Sequence, residues 1–185
     1  MPLTSSNAGS EITRARTADI NALAALSIEV WLDTYATDGI PDSYASHVLQ
    51  AYAPQVFTAV LQSPDKHLIV CRNSVGLLGY LKLDLKARPV ENGCGSAEIE
   101  TLYVRRHHQG RGVGTRLLEA ASCLARDAGH SKLFLTVYEG NRKAIGFYEA
   151  QGMVTEGHWT FDFEGGSVPN LIMTWDVSAP SLSAS

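Results

Sequence analysis

Residues 97–129 read AEIETLYVRRHHQGRGVGTRLLEAASCLARDAG, so a strand pattern, a glycine-rich turn and a helix pattern follow one another. Alternation along Ala97–Val104 predicts a strand with one face formed by Glu98, Glu100, Leu102 and Val104. Helical spacing over residues 112–128 predicts one apolar helix face with Val113, Leu117, Ala120, Leu124 and Ala128. Gly129 stands where a helix C-terminus is expected. These patterns predict a strand that turns sharply into a core-facing helix.

The turn itself, Gln109-Gly110-Arg111-Gly112-Val113-Gly114-Thr115, holds three glycines. Glycine lets the backbone bend sharply and lie close to a ligand. The exposed N–H groups of a helix start, with the positive end of the helix dipole, form a site for phosphate oxygens. The alternative is a solvated loop whose glycines serve packing. The spacing is GxGxG without a following GK[ST], which disfavours both a nucleotide-hydrolysing loop and a dinucleotide-binding fold.

Charge is unevenly distributed along the chain. Residues 105–116 carry four basic and no acidic side chains, whereas residues 1–104 carry seven and eleven, and residues 117–185 carry four and eight. A basic island in an acidic protein favours an anionic ligand. The overall net charge of -4 disfavours nucleic-acid binding. The nucleic-acid alternative predicts salt-sensitive DNA affinity through Arg105, Arg106, Arg111 and Arg116.

Length and composition indicate one globular domain. The 185 residues are 45% hydrophobic, and we expect a single domain over 11–177 with mobile segments at 1–10 and 178–185. Cys71, Cys94 and Cys123 lack CxxC spacing, which favours free thiols in a reducing cytosol. His107 and His108 lack metal-ligand spacing, and no apolar run is long enough for a bilayer. We therefore expect a cytoplasmic monomer or homodimer without metal, membrane or nucleic-acid partners.

The remaining elements follow from periodicity and turn residues. A first strand over Ile12–Arg16 leads to a helix with Thr17 at its N-cap. Further along the chain we predict a helix over Tyr44–Leu61, a hairpin of His67–Arg72 and Leu77–Lys86, a strand over 133–137, a short helix between Asn141 and Gly152, and a closing hairpin of Met153–Phe163 and Val168–Val177.

Two motifs resemble those of the GNAT superfamily of acyl-CoA-dependent N-acyltransferases. Gln109-x-x-Gly112-x-Gly114 is similar to its Q/R-x-x-G-x-G/A signature, and Asn141-x-x-Ala144-x-x-Phe147-Tyr148 is similar to its second motif. The resemblance implies an α/β (α+β) GNAT fold, with a mixed central sheet of about six to seven strands, splayed at the cofactor site, and about four flanking helices. Arg105 and Arg106 depart from the acidic residue and proline of many relatives.

The resemblance also implies acetyl transfer from acetyl-CoA to an amine. The pyrophosphate would bind the main chain of Gln109, Gly110, Arg111, Gly112, Val113, Gly114 and Thr115. The pantetheine arm would bind beside Leu102, Tyr103, Val104, Asn141, Ala144 and Tyr148, with the Val104 N–H at the thioester oxygen. Glu100 is the expected general base and Tyr148 the expected acid. The alternatives are a solvated strand carboxylate for Glu100, packing for Tyr148 and an ordinary helix cap for Asn141.

Acceptor pockets in this superfamily are built largely from the first two helices and the terminal hairpin. The candidates here are Trp31, Tyr35 and His158, with Glu29, Asp33, Asp38, Trp159 and Asp162 nearby in sequence. Aromatic and carboxylate groups suit a cationic amine, although packing on the sheet is the alternative. Gly79–Leu83, Val137–Asn141 and Gly157–His158 resemble the bacterial polyamine N-acetyltransferase branch. A polyamine or another small amine is the favoured acceptor, followed by a protein N-terminus or lysine; a non-catalytic acyl-CoA sensor is the alternative of another class.

Overall fold

A computed structural model describes residues 9–90, 93, 95–163 and 166–178. The two chain ends predicted to be mobile lie outside these residues, apart from 9–10 and 178, and so do Cys94 and the tip of the closing hairpin. Over the described residues the strands are β1 Ser10–Arg14, β2 Lys66–Asn73, β3 Leu77–Asp84, β4 Glu98–Val104, β5 Lys132–Tyr138, β6 Val154–Phe163 and β7 Gly166–Asp176. The helices there are α1 Ile20–Tyr35, α2 Asp42–Ala51, α3 Pro54–Gln62, α4 Val113–Asp127 and α5 Arg142–Ala150.

The strands form a mixed sheet in the order β1-β2-β3-β4-β5-β7-β6. Strand β4 pairs in parallel with β5 at Glu98 and Phe134, where the Phe134 N–H donates to Ala97 O at 3.0 Å. The pairs β1–β2, β5–β7 and β6–β7 are antiparallel. A mixed sheet with helices between its strands confirms the predicted fold class.

The first compact unit consists of Met1–Leu83 and Thr101–Ala120. Helices α1 and α3 bury their apolar stripes, and the core they share with β2 and β3 contains Leu23, Leu26, Phe57, Val60, Leu68, Val70 and Tyr80. Burial of apolar area, at about 25 cal/mol per Å², stabilises this unit. The unit also contains the glycine turn and the first half of α4.

The second compact unit consists of Asp84–Glu100 and Ala121–Ser185. Its antiparallel strands β5 and β7 are in register from Lys132 opposite Asp176 to Tyr138 opposite Asn170. Phe134 and Ile172 are almost fully buried between these strands and pack with Ala87. Among the described helices, this unit contains α5 and the second half of α4.

The predicted start of the first helix is wrong in one detail. Thr17 does not cap α1, because Thr17–Asp19 form a 3-10 turn before Ile20. The Asp19 carboxylate accepts the Arg16 N–H at 2.7 Å and two hydrogen bonds from Arg72, at 2.7 and 3.0 Å. Burial opposes ionisation of Asp19, but its hydrogen bonds with Arg72 and Arg16 lower its pKa below the ordinary value. Asp19, and not Thr17, therefore holds the backbone in place at the start of α1.

The predicted helix over Tyr44–Leu61 is two helices. Helix α2 ends at Ala51, and α3 begins at Pro54 after an extended Ala53 with ψ of 142°. Proline has no N–H to continue the α2 hydrogen-bond ladder, and it disfavours helical backbone in the residue before it. The break places Tyr52 at a corner between the two helices.

Candidate active site

The glycine turn adopts a backbone that requires glycine. Gly110 and Gly112 have φ of 70° and 76°, in the left-handed region that other residues rarely adopt. A Cβ added at either position would meet nothing within 4 Å. Backbone conformation, and not lack of space, therefore explains these two glycines, and the space beside them is open to a ligand.

The start of α4 presents main-chain donors. The Arg116 N–H donates to Gly112 O at 3.1 Å, which makes Gly112 the residue that opens the helix. The N–H groups of Val113, Gly114 and Thr115 come before Arg116, whose N–H is the first to donate within the helix, so they have no acceptor inside it. Together with the helix dipole, they form a donor set that fits a diphosphate.

Gln109 ties this turn to the end of β4. Its side-chain Nε2 donates to Val104 O at 2.9 Å, and its N–H donates to Arg106 O at 3.3 Å. The residue thus shapes the turn through its own hydrogen bonds. A role of Gln109 toward the pyrophosphate stays a prediction.

The basic island is partly neutralised. Arg105 Nε lies 2.9 and 3.0 Å from the two carboxylate oxygens of Glu29 on α1. This ion pair joins two residues that the sequence suggested for different ligands, Arg105 for phosphates and Glu29 for the acceptor. Arg106 and Arg111 are exposed cations of the island.

The main chain of β4, the candidate binding strand, lies very close to that of β3 at Gly79. A Cβ on Gly79 would lie 2.6 Å from Tyr103 O and 3.2 Å from the Val104 Cα. The Arg105 N–H donates to Leu78 O at 3.0 Å beside this contact. Close packing at Gly79 thus fixes the main chain of Tyr103 and Val104.

The side chain of Tyr103 belongs to a cluster of three tyrosines with Tyr52 and Tyr80. Its hydroxyl is 2.8 Å from that of Tyr52, and its ring centre is 5.8 Å from that of Tyr80. The Tyr80 hydroxyl is in turn 2.8 Å from Ser27 Oγ. Burial raises the pKa of Tyr52, Tyr80 and Tyr103, so all three are neutral near pH 7. Sequence reasoning missed Tyr52, Tyr80 and Ser27.

The two candidate catalytic residues belong to the second unit. Glu100 is half-buried on β4, and its Oε2 atom is shielded from solvent. Tyr148 on α5 is 8% exposed, and its ring centre is 5.4 Å from that of Phe147. Asn141 caps α5 by accepting the Ala144 N–H at its Oδ1, at 3.1 Å. The predicted cap is confirmed, while the catalytic and pantetheine-binding roles of these residues stay predictions.

Two of the three acceptor candidates lie together. The Trp31 ring centre is 4.9 Å from that of Tyr35 on α1, and 5.1 Å from both Tyr44 and His47 on α2. Tyr35 is 41% exposed. These four residues form an aromatic cluster, to which Tyr44 and His47 are additions that the sequence did not suggest.

The third acceptor candidate belongs to the second unit. His158 on β6 is exposed, and its Nδ1 lies 2.7 Å from the Glu139 carboxylate. Trp159 packs against the core residues Phe134 and Ile172, which explains its presence without a ligand. The side chain of Asp162 lies outside the described residues.

The described part of the chain holds no group of three or more metal-binding side chains. Cys71 is buried and Cys123 half-buried, both as free thiols. None of the described helices combines the length and the apolar character that crossing a bilayer requires.

The mixed sheet, the glycine turn and the donor-rich start of α4 define an α/β protein with an anion-binding turn. The sequence model of the acetyltransferase (GNAT) family matches residues 26–153, and the chain belongs to this family. It is therefore an acyl-CoA-dependent N-acetyltransferase.

Curated relatives agree with this assignment, and a solved structure shares the fold. An uncharacterized N-acetyltransferase of Lactobacillus delbrueckii is 30% identical over 78% of this chain and 84% of its own. The thialysine N-epsilon-acetyltransferase of Bos taurus is 32% identical over 78% of this chain and 79% of its own. The PaiA N-acetyltransferase of Thermoplasma acidophilum, solved with coenzyme A, superimposes with a TM-score of 0.69 at 21% identity, over 90% of this chain and 98% of its own.

Proposed function

We propose that the enzyme transfers an acetyl group from acetyl-CoA to a primary amine of a small polycation, such as a polyamine, by direct attack in a ternary complex. One observation carries the acceptor assignment. Residues 17–65, which contain α1, α2 and α3, include six acidic residues and no lysine or arginine. A surface of one charge sign attracts a ligand of the opposite sign.

The exposed part of this segment has the groups that bind ammonium ions. Asp19 and Glu29 are paired with arginines, whereas Asp33, Asp38 and Asp42 are exposed. The last three lie in sequence around the aromatic cluster of Trp31, whose ring faces attract cations. The cow relative carries the name of an enzyme acting on the N-epsilon amine of thialysine, which also favours a small amine.

The residues that the family resemblance names would carry the chemistry. An alkyl amine with a pKa of about 10.4 must lose a proton before it attacks, which costs about 5 kcal/mol near pH 7. Glu100 accepts this proton, directly or through water. The Val104 N–H stabilises the negative charge on the thioester oxygen as the amine nitrogen bonds to its carbon. Tyr148 donates a proton to the departing sulfur, and its phenolate takes the remaining extra proton from the nitrogen, directly or through water, so the products are a neutral N-acetyl amine and CoA.

A thiol-release assay tests this proposal. Acetyl-CoA is supplied with spermidine, with a lysine peptide or with a peptide bearing a free α-amino group. We expect the highest kcat/KM with spermidine. Preference for a peptide would favour a protein acetyltransferase, and tight CoA binding without amine-dependent CoA release would favour a sensor.

Charge variants test the acceptor surface itself. The triple change Asp33→Asn, Asp38→Asn and Asp42→Asn should raise KM for spermidine about tenfold and leave KM for acetyl-CoA unchanged. Asp127→Asn is the matched control, because Asp127 is an exposed acid at the end of α4. Equal KM values for spermidine in the triple variant and the control would contradict the acceptor assignment.

A further inference from the structure

The residue that follows Val104 forms a corner in the backbone. Strand β4 ends at Val104 and a 3-10 turn begins at Arg106, so Arg105 is the single residue between the two elements. Its φ of -54° and ψ of 138° are those of extended backbone and not of a helix. The position of the Val104 main chain therefore depends on how firmly this corner is held.

Three hydrogen bonds to main-chain atoms hold the corner on one side. The Arg105 N–H donates to Leu78 O at 3.0 Å, and Arg105 O accepts the His108 N–H at 2.8 Å. Val104 O accepts Gln109 Nε2 at 2.9 Å. These bonds tie the corner to β3 and to the segment that leads into the glycine turn.

An ion pair holds the corner from α1. Arg105 Nε donates to both carboxylate oxygens of Glu29, at 2.9 and 3.0 Å. The two side chains are 41% and 36% exposed, and ion pairs as exposed as this one add little to folding stability. The pair is therefore better explained by where it holds the backbone than by a contribution to stability.

Helix α1 offers Glu29 a fixed base. Its residues Leu23, Leu26 and Ser27 are buried. Ser27 Oγ donates to Leu23 O at 2.7 Å and lies 2.8 Å from the Tyr80 hydroxyl of β3. Because buried contacts and a buried polar pair fix the helix two residues before Glu29, the carboxylate is presented from a rigid element.

We propose that Glu29 is a positioning residue for acetyl transfer, and that it acts through Arg105 on the main chain of Val104. The inference rests on the proposed function, in which the Val104 N–H lies at the thioester oxygen. The main-chain bonds restrain the corner toward β3 and the turn, and the ion pair restrains it toward α1. This restraint matters because a misplacement of about 1 Å can cost about a hundredfold in rate.

The variant Glu29→Gln tests the positioning role, since it removes the charge and keeps the shape of the side chain. In a thiol-release assay we expect kcat to fall about tenfold, with KM for the amine and for acetyl-CoA within about twofold of the wild type. A Glu29 that instead binds the amine directly would give a raised KM for the amine with wild-type kcat, and this result would overturn the proposal.

Glu156→Gln is the matched control. Glu156 pairs with Lys132 at 2.8 Å, and these side chains are 36% and 34% exposed, close to the values for Glu29 and Arg105. Loss of either pair should change Tm by a similar small amount, because exposed ion pairs contribute little. Only Glu29→Gln should lower kcat, and equal kcat values in the two variants would overturn the proposal.

A double-mutant cycle shows whether Glu29 acts through Arg105. If the two residues act as one unit, the double variant Glu29→Gln with Arg105→Gln should have kcat within about twofold of the slower single variant. Independent effects would multiply to about a hundredfold loss in the double variant and would overturn the proposal.

A proline offers a rescue that does not need Glu29. Arg106 is the first residue of the 3-10 turn, a position that proline tolerates, and the extended backbone of Arg105 is the conformation that a following proline favours. At saturating acetyl-CoA, adding Arg106→Pro to Glu29→Gln should restore kcat to within about threefold of the wild type, because proline restrains the corner. No recovery of kcat in a double variant with wild-type Tm would overturn the proposal.

The choice of acceptor separates this inference from the proposed function. All variants are compared on whichever of spermidine, the lysine peptide and the α-amino peptide the wild type acetylates fastest, so failure of the polyamine assignment does not change the result. Wild-type kcat in Glu29→Gln would overturn the positioning role and leave the acceptor assignment intact.

Discussion

Gly79 is the position where one methyl group should most directly disturb the candidate binding strand. Its added Cβ would lie 2.6 Å from Tyr103 O, which is a backbone atom and has no rotamer by which to move away. The adjacent Arg105 N–H to Leu78 O hydrogen bond, at 3.0 Å, holds the two strands at this separation. Gly79→Ala can therefore be accommodated only by moving β3 and β4 apart.

The size of the effect follows from the geometry. Carbon–oxygen contacts between strands are about 3.3 Å or longer, so the strands must separate by about 0.7 Å. Overpacking of this kind costs about 2 kcal/mol, which for a domain of this size lowers Tm by about 4–8 °C. Misplacement by about 1 Å can cost about a hundredfold in rate, so a shift of Val104 should lower kcat at least about tenfold.

Thermal unfolding and steady-state thiol release measure the two effects. Gly76→Ala is the matched control, because a Cβ there meets nothing within 4 Å. The control should keep stability within about 0.5 kcal/mol and leave kcat unchanged. A Gly79→Ala enzyme with wild-type Tm would refute the packing argument, and a lowered Tm with wild-type kcat would contradict the placement of the Val104 N–H at the thioester.

Three further predictions concern single polar groups. Tyr148→Phe should lower kcat about a hundredfold and change KM for acetyl-CoA much less, and an unchanged kcat would remove the acid assignment. Glu100→Gln should lower kcat/KM for the amine about a hundredfold at neutral pH, with partial recovery near pH 10, where a substantial fraction of the amine is already unprotonated; a pH-independent loss would argue against a base. Asp19→Asn should lower the free energy of unfolding by about 2 kcal/mol, because Arg72 loses its partner. Since the folded state lowers the Asp19 pKa, this difference should be present above pH of about 4 and disappear as pH falls through the folded pKa, which urea titrations at several pH values would measure.

The features that the sequence predicted well are local ones. The glycine turn, α4 and the Asn141 cap each depend on residues within one or two helical turns of one another, so spacing carries the information. The boundary between α2 and α3 also depends on a local feature, Pro54, but the apolar stripe across Tyr44–Leu61 favoured a single helix. Proline carries more weight than a rough stripe, because it removes a hydrogen bond outright.

The features that the sequence did not predict depend on distant partners. The Tyr52–Tyr103 and Ser27–Tyr80 hydroxyl pairs join residues 51 and 53 positions apart, and nothing in their local patterns identifies the partner. The pairing of Glu29 with Arg105 joins residues 76 positions apart. Composition alone therefore overestimates the number of charged side chains that can bind a ligand, because it also counts side chains that are paired with each other.

The first unit separates acidic from basic residues in a way that suits two substrates of opposite charge. Within the first unit, residues 17–65 lack lysine and arginine, and residues 105–116 lack acids. Basic residues in the first segment would repel a polycation, and acidic residues in the second would repel a CoA phosphate. The uniform charge of each segment therefore strengthens the attraction for its ligand. The Glu29–Arg105 ion pair joins the acidic segment to the basic one. It neutralises one charge of each sign and leaves the acids around α2 and the cations of the glycine turn to their separate ligands. Because high salt screens both attractions, KM for the amine and KM for acetyl-CoA should rise together with ionic strength, while kcat changes little.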